Sequence, residues 1–150
     1  MAKAAGDPGV NHTTLAIMNG SKGGETLEKW DPTGSNGYAN YDRVRDQVLA
    51  PNGLSENQVQ AIWIKGANSQ PTVSLPSSSA DAYTAKRQLG NILRAIRGRY
   101  PFIRQVFLSN RIYGGYATSC LNPEPYAYEI GFASKWLISA QIKFEPRSKC

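Results

Sequence analysis

The chain is predicted to fold as an α/β domain: a three-layer α/β/α arrangement on a parallel sheet of at least three strands. Three features predict it. Short apolar runs recur at residues 15–18, 61–64 and 106–108. Each is strand-length and apolar at successive positions, as parallel strands buried on both faces are. A helical pattern follows each run after a loop rich in Gly, Ser, Asn or Pro. Ligands of open α/β sheets bind where such loops leave the carboxyl ends of the strands.

The elements follow in order. Leu15, Ala16, Ile17 and Met18 end in Asn19, Gly20 and Ser21. Tyr41, Val44, Val48 and Leu49 then space as one helical face, and Ser55 with Gln58 has the spacing of a capping box. Ala61, Ile62, Trp63 and Ile64, entered from Val59, form the second run and lead into Lys65, Gly66, Ala67 and Asn68. Tyr83, Leu89, Ile92, Leu93 and Ile96 line a longer amphipathic helix with Asp81 near its start. Val106, Phe107 and Leu108 form the third run. Tyr126, Ile130, Ala133, Trp136, Leu137 and Ala140 define the last helix, entered through Asn122, Pro123, Glu124 and Pro125. This β-α-β-α-β-α order implies right-handed crossovers.

Length and composition set limits on function. The 150 residues suit a single domain over 1–150, with flexible ends expected at 1–13 and 143–150. With 41% hydrophobic and 19% charged residues the chain is no disordered polyelectrolyte. No apolar run approaches the ~18 residues of a membrane span, so no membrane partner is expected. The start lacks the apolar stretch of a signal peptide, which makes the cytoplasm the default location. Two cysteines, one of them the last residue, give no disulfide framework. His12 is the single histidine, so a mechanism needing two is excluded. Asp31, Asp42, Asp46, Glu124 and Glu129 show no paired spacing, and no His/Cys cluster or calcium loop occurs. Neither a metal nor a cofactor is expected.

The net charge is +6. Lys86, Arg87, Arg94, Arg97, Arg99 and Arg104, flanked by Tyr83 and Tyr100, would suit nucleic acid. A solvated helix face accounts for the same residues, and no helix-turn-helix or RNA-binding motif accompanies them.

The loop after the first run, from Asn19 to Thr26, carries Gly20, Gly23 and Gly24. Glycines allow backbone N–H groups to approach an anion closely. The loop lacks the Gly-Lys-Ser/Thr of a Walker sequence and the spacing of a dinucleotide fingerprint. A glycine-rich connection is the plain reading, and a backbone donor aimed at a developing negative charge is the functional one. At the matching edge of the second run, the Asn68 carboxamide could serve as a second donor, although Asn and Gly are also ordinary turn residues.

At these residues the chain resembles the SGNH (GDSL-type) hydrolase family. Asn19, Gly24 and Thr26 occupy the spacing of the family's Asn-x-Gly-x-x-Gly-x-Thr-like block, with Ser21 where a glycine is usual. Gly66, Ala67 and Asn68 match its Gly-x-Asn-Asp block, with Ser69 in place of the Asp. The resemblance covers residues 15–142 and is reinforced by 109–116 and 121–126. It implies a flavodoxin-like α/β/α sandwich that hydrolyses a carbohydrate or lipid ester through a serine nucleophile, with Gly24 and Asn68 as oxyanion donors. Two family blocks are missing. Gly6, Asp7 and Pro8 imitate the nucleophile turn with proline in the serine's place, and no histidine follows His12 to supply an Asp-x-x-His block.

The chain is therefore expected to be an interior, truncated segment of such an enzyme, weak or inactive as an esterase by itself. Ser21 and Ser69 are the substitute nucleophile candidates, each needing His12, which belongs at the opposite edge of the sheet. Cys120 lacks a paired base. Trp30, Asn110, Arg111, Tyr113 and Tyr116 are the candidate substrate contacts, with Asn122, Tyr126 and Tyr128 near them. A noncatalytic carbohydrate- or anion-binding module at the same edge is the competing reading, and a basic nucleic-acid-binding domain the third. Open edges of a truncated sheet would favour self-association.

Overall fold

The structure, a computed structural model, describes residues 6–109 and 113–144. Helix α1 is a single turn, Leu27–Trp30. Helix α2, Ala39–Val44, continues through a π turn at Arg45–Leu49 and a 3-10 turn at Ala50–Asn52. Gly53, in the left-handed region at φ 68°, ends this run. A further 3-10 turn, Glu56–Gln58, carries the expected capping box, with the Ser55 N–H donating to Gln58 Oε1 at 2.8 Å.

Strand β1 is Ala61–Lys65, helix α3 is Asp81–Arg99, strand β2 is Gln105–Ser109 and helix α4 is Tyr126–Phe144. The two strands pair in parallel, with Ile62 beside Val106, Trp63 beside Phe107 and Ile64 beside Leu108. Parallel strands need a crossover connection, and α3 supplies it. Asp81 sets the start of α3: its Oδ2 accepts the N–H groups of Thr72 and Val73 at 2.7 and 2.8 Å, tying the preceding loop to the helix.

The core lies where α3 and α4 meet the sheet. Leu89, Ile92 and Ile96 of α3 and Ile130 and Ala133 of α4 are buried together with Leu27, Tyr41 and Tyr100. Ile62, Ile64, Val106 and Leu108 pack against this cluster from one face of the sheet. Glu129, also buried, accepts the Leu75 N–H on both carboxylate oxygens at 3.1 Å. Tyr83 stacks on Trp136 at 5.0 Å along the outer margin of the α3–α4 interface, with Lys86 above the same indole.

The sheet of the described residues differs from the expected one in two respects. Among the described residues it has two strands, and residues 15–18 are irregular. A strand exists only with a ladder to pair with, and this run has none: the Leu15 N–H turns back to Asn11 O, and Leu15 is exposed. Nor are the strands buried on both faces. Trp63 and Phe107 stand side by side on the face away from the core, 51% and 50% exposed. Trp63 Nε1 donates to Ser109 Oγ at 2.9 Å, which supplies the polar partner its indole needs. At its C-terminal end, α4 extends through residues 143 and 144.

Candidate functional site

The exit loop of β1 is seated on the first turn of α1. Position 66 must be glycine for this approach. A Cβ there would lie 2.6 Å from Leu27 Cδ2, and Leu27 is buried. The loop then supplies what α1 lacks. Thr26, the N-cap residue, makes no side-chain cap. Instead the Leu27 N–H donates to Ala67 O at 3.3 Å and the Glu28 N–H to Asn68 Oδ1 at 3.2 Å. Two N–H groups that a helix start leaves unpaired are thus satisfied from another part of the chain.

This packing brings together the two glycine-containing blocks singled out in the sequence. Gly24, just before α1, is in the left-handed region at φ 73°, a conformation that costs other residues free energy. Its carbonyl accepts Lys29 Nζ at 3.0 Å. Gly20 O accepts Arg43 Nη2 at 2.7 Å, which fixes the start of the same loop to α2. Glu25 is held below the ordinary carboxylate range, first by the hydrogen bond from Asn40 and then, against its own desolvation, by Lys22 and Lys29.

Asn68 is more committed than a free oxyanion donor would be. Its Nδ2 donates to Gln88 Oε1 at 2.6 Å, and Gln88 is buried on α3. The second N–H of the same amide has no partner among the described residues. From the other side, Asn122 Nδ2 donates to Asn68 O at 3.2 Å, and the Gln70 N–H to Leu121 O at 2.9 Å. The segment after β2 therefore closes onto the loop after β1. Asn122 Oδ1 is buried there without a hydrogen-bond partner among the described residues.

The remaining candidates are placed differently. Tyr113 and Tyr116 are exposed and meet edge-to-face at 5.5 Å. Asn110 and Arg111 lie outside the described residues. Trp30 is a packing residue: its ring meets Tyr41 edge-on at 5.2 Å, and its carbonyl accepts the Tyr41 hydroxyl at 2.9 Å. Ser21 is turned onto its own loop, where its Oγ donates to Asn19 Oδ1 at 2.7 Å. Ser69 is exposed. His12 Nε2 lies 3.0 Å from Asp7 O, and among the described residues no hydrogen bond joins it to either serine. No group of three His, Cys, Asp or Glu among the described residues could hold a metal ion. Likewise, none of the described helices is long and apolar enough to cross a membrane.

Sequence reasoning missed two polar anchors. Gln88 falls on the helix period but gives no sign that it faces Asn68. Asp31, at the C-terminal end of α1, is 3% exposed. It accepts the Thr33 N–H at 2.9 Å, the Thr33 hydroxyl at 2.7 Å and Asn91 Nδ2 at 3.0 Å, with Arg87 at 3.7 Å. Burial alone would raise its pKa, but these hydrogen bonds and the Arg87 charge prevail and hold it below the ordinary aspartate value. The Asp-x-Thr spacing of an Asx turn was the readable signal.

Asp31 makes stability depend on pH. A carboxylate whose pKa is lowered by folding stabilises the folded state fully above its unfolded pKa and loses that contribution as pH falls through the folded value. Urea unfolding between pH 6 and 2 is expected to show stability falling below about pH 4, with a flatter acid limb in Asp31→Asn. An identical acid limb in the variant would assign the loss to other groups.

No family model matches the chain, and neither a curated protein nor a solved structure matches it.

Proposed function

We propose that the chain is an SGNH-like ester hydrolase scaffold for carbohydrate or lipid esters, with the Gly24 N–H and the Asn68 carboxamide as its oxyanion donors. The observation that supports this most is the seating of the β1 exit loop on α1. It puts the Asn68 amide, with one N–H unspent, beside the segment that begins at Gly24. Donors fixed in advance near a developing oxyanion need no reorganisation during reaction. In this reading the unpaired run at 15–18 and the bare Trp63–Phe107 face belong to a three-layer sheet completed by further strands. The open strand edges favour association with a second copy.

Ser21, Ser69 and His12 form no nucleophile–base pair in the structure. Turnover should therefore be confined to what donors and binding supply, roughly 10³–10⁴-fold over water. A fluorophosphonate probe is expected to leave every serine substoichiometrically labelled. Full labelling of one serine would disprove the absence of an activated nucleophile.

Hydrolysis of p-nitrophenyl acetate tests the donor itself. Asn68→Asp keeps an acceptor for the Glu28 N–H, and Gln88 can turn its NH₂ toward the new carboxylate. The oxyanion donor is lost, and a carboxylate stands where the oxyanion would develop. Turnover should fall by about 10²-fold or more, with the thermal midpoint nearly unchanged. Wild-type turnover in Asn68→Asp would overturn the proposal.

A further inference from the structure

Beyond the C-terminal end of α1 a cleft of about 560 Å³ opens between the loop after Asp31 and the second half of α3. That volume falls within the range of small-molecule sites. Its wall includes Pro32, Tyr38, Asn91, Arg94, Gly98 and Arg99. None of these residues belongs to the Asn68 site, so a ligand in the cleft is independent of the esterase reading.

Both arginine side chains are anchored by hydrogen bonds. Arg99, 13% exposed, donates from Nε to Glu56 and from Nη2 to Asp42. Its guanidinium lies above the Tyr38 ring at 6.0 Å and above the Tyr41 ring at 5.9 Å. Its charge is therefore compensated. Arg94 is different. Its Nη2 donates to Asn91 Oδ1, and the Asn91 amide in turn donates to the buried Asp31 carboxylate. Asp31 thereby positions Arg94 through a neutral carboxamide and leaves its charge in place. Arg94 makes no ion pair among the described residues. A guanidinium already oriented loses less conformational freedom on taking up an anion.

The rest of the wall selects the body of the ligand. Pro32, Ala95 and Gly98 leave a shallow floor with little polar functionality. A Cβ at position 98 would meet nothing within 4 Å, so the floor stays uncrowded there. The Tyr38 hydroxyl makes no hydrogen bond to the described residues and can donate or accept. One uncompensated guanidinium matches one negative charge, and a carboxylate accepts its fork in bidentate fashion. A floor for C–H groups and a free phenol match a hydroxylated ring.

We infer that this cleft binds an acidic monosaccharide, a pyranose bearing one carboxylate, with the carboxylate on Arg94. Isothermal titration with D-glucuronate tests it, with glucose and acetate as the ring-only and charge-only arms. Saturable glucuronate binding is expected, at least about tenfold tighter than either fragment. Arg94→Gln should weaken it by a further tenfold or more, while Arg97→Gln, on α3 outside the cleft, should not. Arg94 is exposed, so its variant keeps the helix, and Asn91→Ala offers a second route by releasing Arg94 from Asp31. Absence of saturation in the wild type, equal affinity for glucose, or undiminished binding in Arg94→Gln would each overturn the inference. Turnover at Asn68 should be the same in every one of these variants, which separates failure here from failure of the esterase reading.

Discussion

Leu27→Ala is expected to destabilise the chain by about 2–5 kcal/mol, the usual cost of emptying a buried leucine position. Leu27 is 2% exposed and belongs to the same core cluster as Ile92 and Ile130. It is also the surface on which the β1 exit loop rests, so its loss should unfasten that loop as well as open a cavity. Gly66→Ala attacks the same contact from the other side. Its new Cβ, 2.6 Å from Leu27 Cδ2, cannot be accommodated without moving a core side chain, at a cost of about 1–3 kcal/mol. The two substitutions should not add. Space vacated by Leu27→Ala receives the methyl group of Gly66→Ala, so the double variant should be more stable than the sum of the single losses by about 0.5–3 kcal/mol. Urea unfolding of the four proteins measures this coupling. Strict additivity would mean that the contact does not hold the loop.

Asn68→Ala should cost about 2–3 kcal/mol, because it strands two groups at once. Gln88 Oε1 loses its donor inside the protein, and the Glu28 N–H loses its acceptor at the start of α1. Asn68→Asp preserves both contacts once the Gln88 amide turns, and should remain within about 1 kcal/mol of the wild type. Thermal and urea unfolding followed by circular dichroism distinguish the two. Equal destabilisation by Ala and Asp would show that Gln88 does not turn.

The parts legible in the sequence are those governed by local periodicity. Leu89, Ile92 and Ile96 recur at helical spacing and lie on the buried face of α3. Val106 and Leu108 mark β2, and Ser55 with Gln58 marks a cap that the chain forms. What was not legible depends on partners far away along the chain. Residues 15–18 look like a strand, but apolarity does not supply a ladder. Trp63 and Phe107 look like the interior of a sheet covered on both faces, and only the packing shows one covered face. Within the candidate site, Asn68 could be singled out by its place after a strand, whereas its commitment to Gln88 arises only when α3 packs against that loop. The cleft at Arg94 was hidden for a similar reason. Its positioning begins at Asp31, on a different element, and reaches the guanidinium through Asn91.

The pairing of β1 with β2 also governs the order of assembly. The strands run parallel and are joined only through α3, so no hairpin can nucleate the sheet. Closing that long loop costs entropy before any interstrand hydrogen bond compensates for it. The crossover helix can gain structure locally, and Ile92 and Ile96 then offer the surface that gathers Ile62 and Val106. Folding speed is accordingly governed by how α3 docks. Changes at the bare Trp63–Phe107 pair should act mainly on the rate of unfolding.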